Sequence, residues 1–153
     1  MPTPTPNFRT YSTAVVLLLA CCAVVAAHNG ILILMAAQPN APVRLASTTT
    51  GGGALLHDAE LRNDGVKEVV SYRLGWAYVR PNNEIEFHTG ASTRITLGRG
   101  IFRKISGENV PFDTRAQYVI FFVAEVAFAD ETYWKADYAD IRREIRDRTK
   151  DRD

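Results

Sequence analysis

Three histidines, two adjacent cysteines and a few carboxylate pairs are the side chains whose types could support chemistry. A serine or cysteine nucleophile needs a histidine base within hydrogen-bond reach. His28 lies in an apolar leader. His57 opens a strand-like run and His88 closes another, and neither stands in a Gly-x-Ser-x-Gly context. A zinc site wants three or four convergent His, Cys or carboxylate ligands, and two histidines thirty-one residues apart do not supply them. Glu84 and Glu86 share a strand face, which could seat a hard cation but more often is simply a solvated edge, the preferred reading. Asp130-Glu131 form a second acidic pair, in a turn. Gly51-Gly52-Gly53 and Gly98-Arg99-Gly100 lack the following Lys-Ser/Thr or helix that a phosphate cradle requires. No catalytic, metal or cofactor site is therefore assigned, and a non-enzyme is expected. The alternative is a ligand carrier or enzyme with a pocket near His57 or His88.

The chain that must position these residues has 153 of them and a formal net charge of +1. A nucleic-acid binder would concentrate basic charge on one face, so none is expected as partner. Arg94, Arg99, Arg103 and Lys104 do cluster around Phe102. They fit a patch for an acidic surface, or, the preferred reading, edge strands whose positive charge discourages pairing. Charge is unevenly distributed along the chain. Every acidic residue lies at or after Asp58, and the first 57 residues carry only Arg9 and Arg44.

That leader sets topology. Ala14–Ala27 has no polar side chain, a length that suits a signal-peptide h-region, and Val25-Ala26-Ala27 places small residues at a cleavage site. Joined to Ile31–Ala37, the run reaches 24 residues, about 36 Å as a helix and enough to cross a bilayer. Residues 1–37 are thus a cleaved signal or a transmembrane anchor through residues 14–37. A third reading lipidates Cys21, since Leu18-Leu19-Ala20-Cys21 is similar to a bacterial lipobox. Leu19 and the apolar residues after Cys22 depart from that pattern. All three readings export the remainder. With both cysteines in the leader, the rest of the chain must hold together through its core alone.

Residues 38–54 are a linker with a possible first strand through Val43 and Leu45, and residues 55–136 carry period-two patterning. In Val69–Val79, Val70, Tyr72, Leu74, Trp76 and Tyr78 share a core face, with Ser71, Arg73, Gly75 and Ala77 toward solvent. Leu55–Leu61 alternates too and stops at Asn63-Asp64-Gly65, which predicts an antiparallel pair with Val69–Val79. Glu84–His88, Arg94–Leu97, Ile101–Ile105, Tyr118–Phe128 and Thr132–Lys135 follow as strands. Seven to eight strands describe an all-β fold, an antiparallel β-sandwich or small barrel. An apolar N-terminal helix precedes it and a short charged C-terminal helix, within 137–153, follows.

The order of features resembles an immunoglobulin-like or fibronectin type III-like sandwich. The strand ending Leu61-Arg62-Asn63-Asp64 precedes one bearing Trp76, and Val110-Pro111-Phe112 precedes Tyr118-Val119-Ile120. That stretch is similar to the Leu-x-Pro…Tyr-x-Val corner of fibronectin type III domains, although Pro111 and Tyr118 are spaced more widely. The resemblance covers about residues 42–135 and implies an adhesive or scaffolding module that binds an unknown protein or envelope component.

In Tyr118–Phe128 the residues Tyr118, Ile120, Phe122, Ala124, Val126 and Phe128 are in phase, yet Val119, Phe121 and Val123 make the opposite face apolar as well. Something must cover that second face: the C-terminal segment, the Ile31–Ala37 segment or a partner protein, for which Val119, Phe121 and Val123 are the candidate surface. The helix predicted over Asp137–Lys150 has Ile141 and Ile145 four apart, a narrow stripe that could dock on the domain.

Overall fold

A computed structural model describes residues 27–28, 31–51, 54–106, 110–111 and 113–150. Cys21 and the run 14–26 lie outside the described residues. The strands are β1 (Ala27–His28), β2 (Ile31–Met35), β3 (Val43–Gly51), β4 (Ala54–Asn63), β5 (Val69–Val79), β6 (Ile85–Thr89), β7 (Thr93–Leu97), β8 (Phe102–Ser106), β9 (Tyr118–Phe128) and β10 (Tyr133–Lys135). One helix, α1 (Tyr138–Lys150), closes the described chain. A seven-stranded mixed sheet runs β1-β2-β9-β5-β6, with β10 also paired to β9 and β7 to β5; a three-stranded antiparallel sheet runs β3-β4-β8.

The long runs β5 and β9 are the centre of the larger sheet, antiparallel to each other from Val69↔Phe128 to Val79↔Tyr118. Their alternation breaks at two bulges. Opposite Arg73–Leu74, β9 spends three residues, Val123–Glu125, and the extra residue reverses which face the following side chains take. Tyr118, Ile120, Phe122 and Ala124 therefore share one core with α1, while Val126 and Phe128 join Val119, Phe121 and Val123 on the other face. A second bulge in β5, between Val69 and Ser71, buries Val69 and leaves Val70, the residue expected in the core, half-buried.

Both faces of this sheet are closed by the chain itself. Val43, Leu45, Ala59, Leu61 and Ile105 of the small sheet pack with Tyr72, Leu74, Trp76, Val119, Phe121 and Val123. On the opposite face, Ile141 and Ile145 of α1 cover Ala77, Val79, Ile120 and Phe122. This corrects two expectations. Val119, Phe121 and Val123 have no accessible surface, so they offer nothing to a partner. Gly75 and Ala77, expected toward solvent, are buried under Phe122 and α1.

Burial on two faces explains β2. Ile31 and Ile33 face the small sheet while Leu34 faces α1, so the strand must be apolar throughout, as parallel strands covered on both sides are. It lies parallel to β9, from Leu32↔Tyr118 to Met35↔Phe121. Of the two readings of the leader, the anchor required one apolar helix through residue 37; Ile31–Met35 is instead a strand, preceded by a short pairing of β1 with β2. Among the described residues no helix is long and apolar enough to cross a membrane.

The expected pairing of Leu55–Leu61 with Val69–Val79 is also corrected. β4 pairs with β3 and β8, and the Asn63-Asp64-Gly65 turn carries the chain from one sheet to the other. Asn63 holds that crossing. Fully buried, it donates from Nδ2 to the carbonyls of Lys67 and Leu97, both at 2.8 Å, and accepts at Oδ1 from the Gly65 N–H at 2.9 Å. Its own backbone bonds Ile101 and Gly100. Among the described residues the hydroxyl that reaches the segment before β9 is that of Tyr78, which donates to the Pro111 carbonyl, while the Tyr118 hydroxyl accepts from Gln117 Nε2 at 3.4 Å.

Candidate functional site

The exposed edge of β9 must be covered, because an open edge leaves unpaired backbone groups. Three devices share the work. β2 pairs Tyr118 through Phe121, and the Ala36 N–H continues onto the Phe121 carbonyl. At Val123 the chain substitutes a side chain: Gln38 accepts the Val123 N–H at Oε1 (2.7 Å) and donates from Nε2 to its carbonyl (2.8 Å). Beyond it, Ala136 N–H reaches the Ala124 carbonyl and β10 pairs Glu125 through Ala127. An amide presents one donor and one acceptor, as a strand residue does, so Gln38 bridges the gap where the bulge sits.

Between the ends of the β2 and β10 pairings on β9, a cleft opens, bounded by residues 37–41, residues 134–137 and one side of α1. Its volume is about 570 Å³. Trp134, half-buried, lines it together with Gln38 and Asn40. From the helix come Asp140, Glu144 and Asp147, spaced so that they share a face with the preceding Asp137, and Arg143 stands among them. These carboxylates differ in what they do. Asp137 caps the helix, accepting the Ala139 N–H at 2.7 Å. Asp140 pairs with Arg143 at 3.1 Å. Glu144 accepts the Ala37 N–H at Oε1 and pairs with Arg148, whose Nη1 donates to the Met35 carbonyl. Its second oxygen, Oε2, is buried without a hydrogen-bond partner. Asp147 has no partner among the described residues.

The histidine candidates stand apart. His57 is on β4 of the small sheet, its side chain outside the description, and His88 is on β6 at the edge of the large one. The His88 ring stacks on Trp76, centroids 5.8 Å apart, and meets the edge of Tyr78 at 5.2 Å. Its Nε2 lies 3.0 Å from Glu86 Oε1, outside hydrogen-bond geometry. The indole N–H of Trp76 is buried within reach of the Tyr78 hydroxyl but outside good hydrogen-bond geometry with any described residue. Burial pushes the Tyr78 hydroxyl pKa up, and the nearby Asp113 and Glu86 charges add to the shift, against a lowering contribution from Trp76.

Glu84 and Glu86 do not form a cation seat. Both carboxylates are taken by Arg80, which also lies 3.5 Å from Asp113. The Arg80 hydrogen bond holds Glu84 below the usual carboxylate range, and the Arg115 guanidinium and backbone N–H lower Asp113 to about 2. Among the described residues no group of three or more His, Cys, Asp or Glu side chains could hold a metal ion.

No family model matches this chain, and no curated protein or solved structure matches it either. The cleft therefore has to be read from its own residues. Sequence patterning gave no sign of Gln38 or Trp134 as lining residues. Gln38 works on a strand 85 positions away, and such a bond leaves no local periodicity to read.

Proposed function

We propose that the chain is an exported, non-catalytic module of immunoglobulin-like β-sandwich type that binds an envelope or extracellular partner through the cleft beside Trp134. The observation that carries this reading is the cleft itself, where a tryptophan, an unpartnered Glu144 oxygen and the free Asp147 converge. Two sheets sharing a core support the sandwich. Incorporation of β2 into the sheet supports a cleaved signal over an anchor, because Ala14–Ala26 is only about 20 Å as a helix, short of a bilayer core. A partner for this cleft carries a basic, extended segment, since acidic groups dominate one wall.

The test places a photocrosslinking residue at Asn40 or Arg143 on the cleft rim in the producing cell. One common adduct is expected from both positions, lost on Asp147→Lys; scattered adducts, or none, would end the proposal. Intact mass of the isolated protein decides cleavage near Ala27. A second reading, a ligand pocket at His88, rests on the half-buried His88 ring held between Trp76 and Tyr78. It predicts that His88→Ala abolishes a thermal shift produced by a ligand screen, and fails if the screen is silent.

A further inference from the structure

Among the described residues, three of the five exposed large apolar side chains flank the end of β4: Val66 (77% exposed) in the loop that follows it, and Ile101 (54%) and Phe102 (63%) at the start of β8. The common fixture is Asn63, which bonds Gly65 and Lys67 on one side and Gly100 and Ile101 on the other. The loops bearing these side chains are therefore held next to each other on a buried anchor. Gly100 sits at φ +72° with nothing near its missing Cβ, and this turn projects Ile101 and Phe102 from the sheet end.

Cations bracket the apolar pair in the order Arg99, Ile101, Phe102, Arg103, Lys104. Arg99, Arg103 and Lys104 are exposed and have no acidic partner among the described residues, whereas Arg44 and Arg62 at the same end are both held by Asp64. Glu60 is the carboxylate opposite Lys104 in register. A soluble polyanion has no use for three projecting apolar side chains. Apolar tips beside free guanidinium groups match a bilayer interface, where the tips enter the acyl boundary and the cations meet headgroup phosphates.

We propose that the end of the molecule bearing Val66, Ile101 and Phe102 docks on an anionic phospholipid bilayer, with Arg99, Arg103 and Lys104 facing the headgroups. This surface lies on the small-sheet side of the large sheet, the cleft on the α1 side, so the proposal stands independently of the partner reading.

Co-sedimentation of the full chain with vesicles of phosphatidylcholine, alone or mixed with phosphatidylglycerol, tests it. The leader is common to every variant and drops out of the comparison. The wild type should prefer the anionic vesicles and be released by salt. Arg99→Glu/Arg103→Glu should weaken that binding by about 25-fold or more, from about fivefold per cation removed. Ile101→Ser/Phe102→Ser should weaken it by about tenfold. Arg142→Glu/Arg146→Glu on α1 makes the same charge change elsewhere and should leave it unaltered. Equal binding of wild type and both tip variants would overturn the proposal, as would equal loss from the α1 variant. Capture of soluble polyglutamate by the tip in preference to vesicles would overturn it in favour of an acidic polypeptide. Unchanged melting temperatures establish that the exposed substitutions leave the fold intact.

Discussion

Replacing Asn63 tests whether a single buried amide holds the two sheets in register. In Asn63→Ala three side-chain hydrogen bonds disappear, to Lys67, Leu97 and Gly65, each worth about 1 kcal/mol. The bond to Leu97 is fully buried, and its carbonyl, left without a partner, adds about another 1 kcal/mol. The expected loss is therefore about 3–4 kcal/mol, a large share of the roughly 5–15 kcal/mol that a domain has in total. Urea denaturation should show the midpoint falling at an unchanged m-value. Asn63→Asp separates hydrogen bonding from packing. It keeps the shape and the acceptor for Gly65, but sets an oxygen against two carbonyls and buries a charge. Its deficit at neutral pH should exceed that of Asn63→Ala and shrink as acid protonates the new carboxyl, whose pKa burial raises. A loss below about 1 kcal/mol for Asn63→Ala would refute the reasoning. So would equal stability of the two variants at neutral pH.

Other substitutions probe the rest of the frame. In Gly75→Ala the added Cβ would come within 2.4 Å of the Phe122 ring, so a loss of about 1–3 kcal/mol is expected in the same denaturation assay. Gln38→Leu removes both bonds to Val123 at the β9 bulge and should cost about 2 kcal/mol; hydrogen exchange at the Val123 amide should speed up more than at Phe121. Asp130 is lowered to about 2 by its bonds to Lys67 and Thr132. Its stabilisation is present above the ordinary value of 3.8 and is lost as pH falls through about 2, so Asp130→Asn should be weaker than wild type at neutral pH and equal to it in strong acid. A carboxyl NMR titration with its midpoint near 3.8 would contradict this. Ile145, fully buried on the α1 stripe, should cost about 2–5 kcal/mol on change to Ala, with dye binding to the uncovered Ile120–Phe122 face as the readout.

Strongly periodic elements were legible in the sequence. Val69–Val79, Tyr118–Phe128 and the C-terminal helix are found where alternation and the Ile141–Ile145 spacing put them. Period-two reasoning fails where one residue is inserted. The bulge at Val123–Glu125 swaps faces midway through β9, so six side chains in sequence phase divide between two cores. Apolar runs mislead for another reason. Ile31–Met35 is apolar on every position because α1 covers one face and the small sheet the other, and that pattern is shared with a membrane span. The turn at Asn63 carried a real signal, but Asn-Asp-Gly chemistry reports that the chain reverses and not which sheet it enters next. Cleft residues were least legible, since Trp134, Gln38 and Glu144 meet only through the packing of α1 and β10 against β9.

These packing choices narrow where a partner can act. Both faces of β9 are buried from Tyr118 to Ala124, and its edge is closed in succession by β2, Gln38 and β10, so strand addition at β9 has no room. Each change of cover along that edge forces the chain to leave the sheet, and the cleft is the space left where β2 departs and α1 begins. The carboxylates of α1 face this space because Ile141, Ile145 and Thr149 occupy the buried side of the same helix. Burying the Tyr118, Ile120 and Phe122 face of β9 and presenting acidic groups beside Trp134 are thus one structural act, performed by adjacent stripes of a thirteen-residue helix. A substitution that loosens the Ile145 contact should therefore disturb the cleft along with the fold, whereas Asp147→Lys should alter the cleft's charge and leave stability in place.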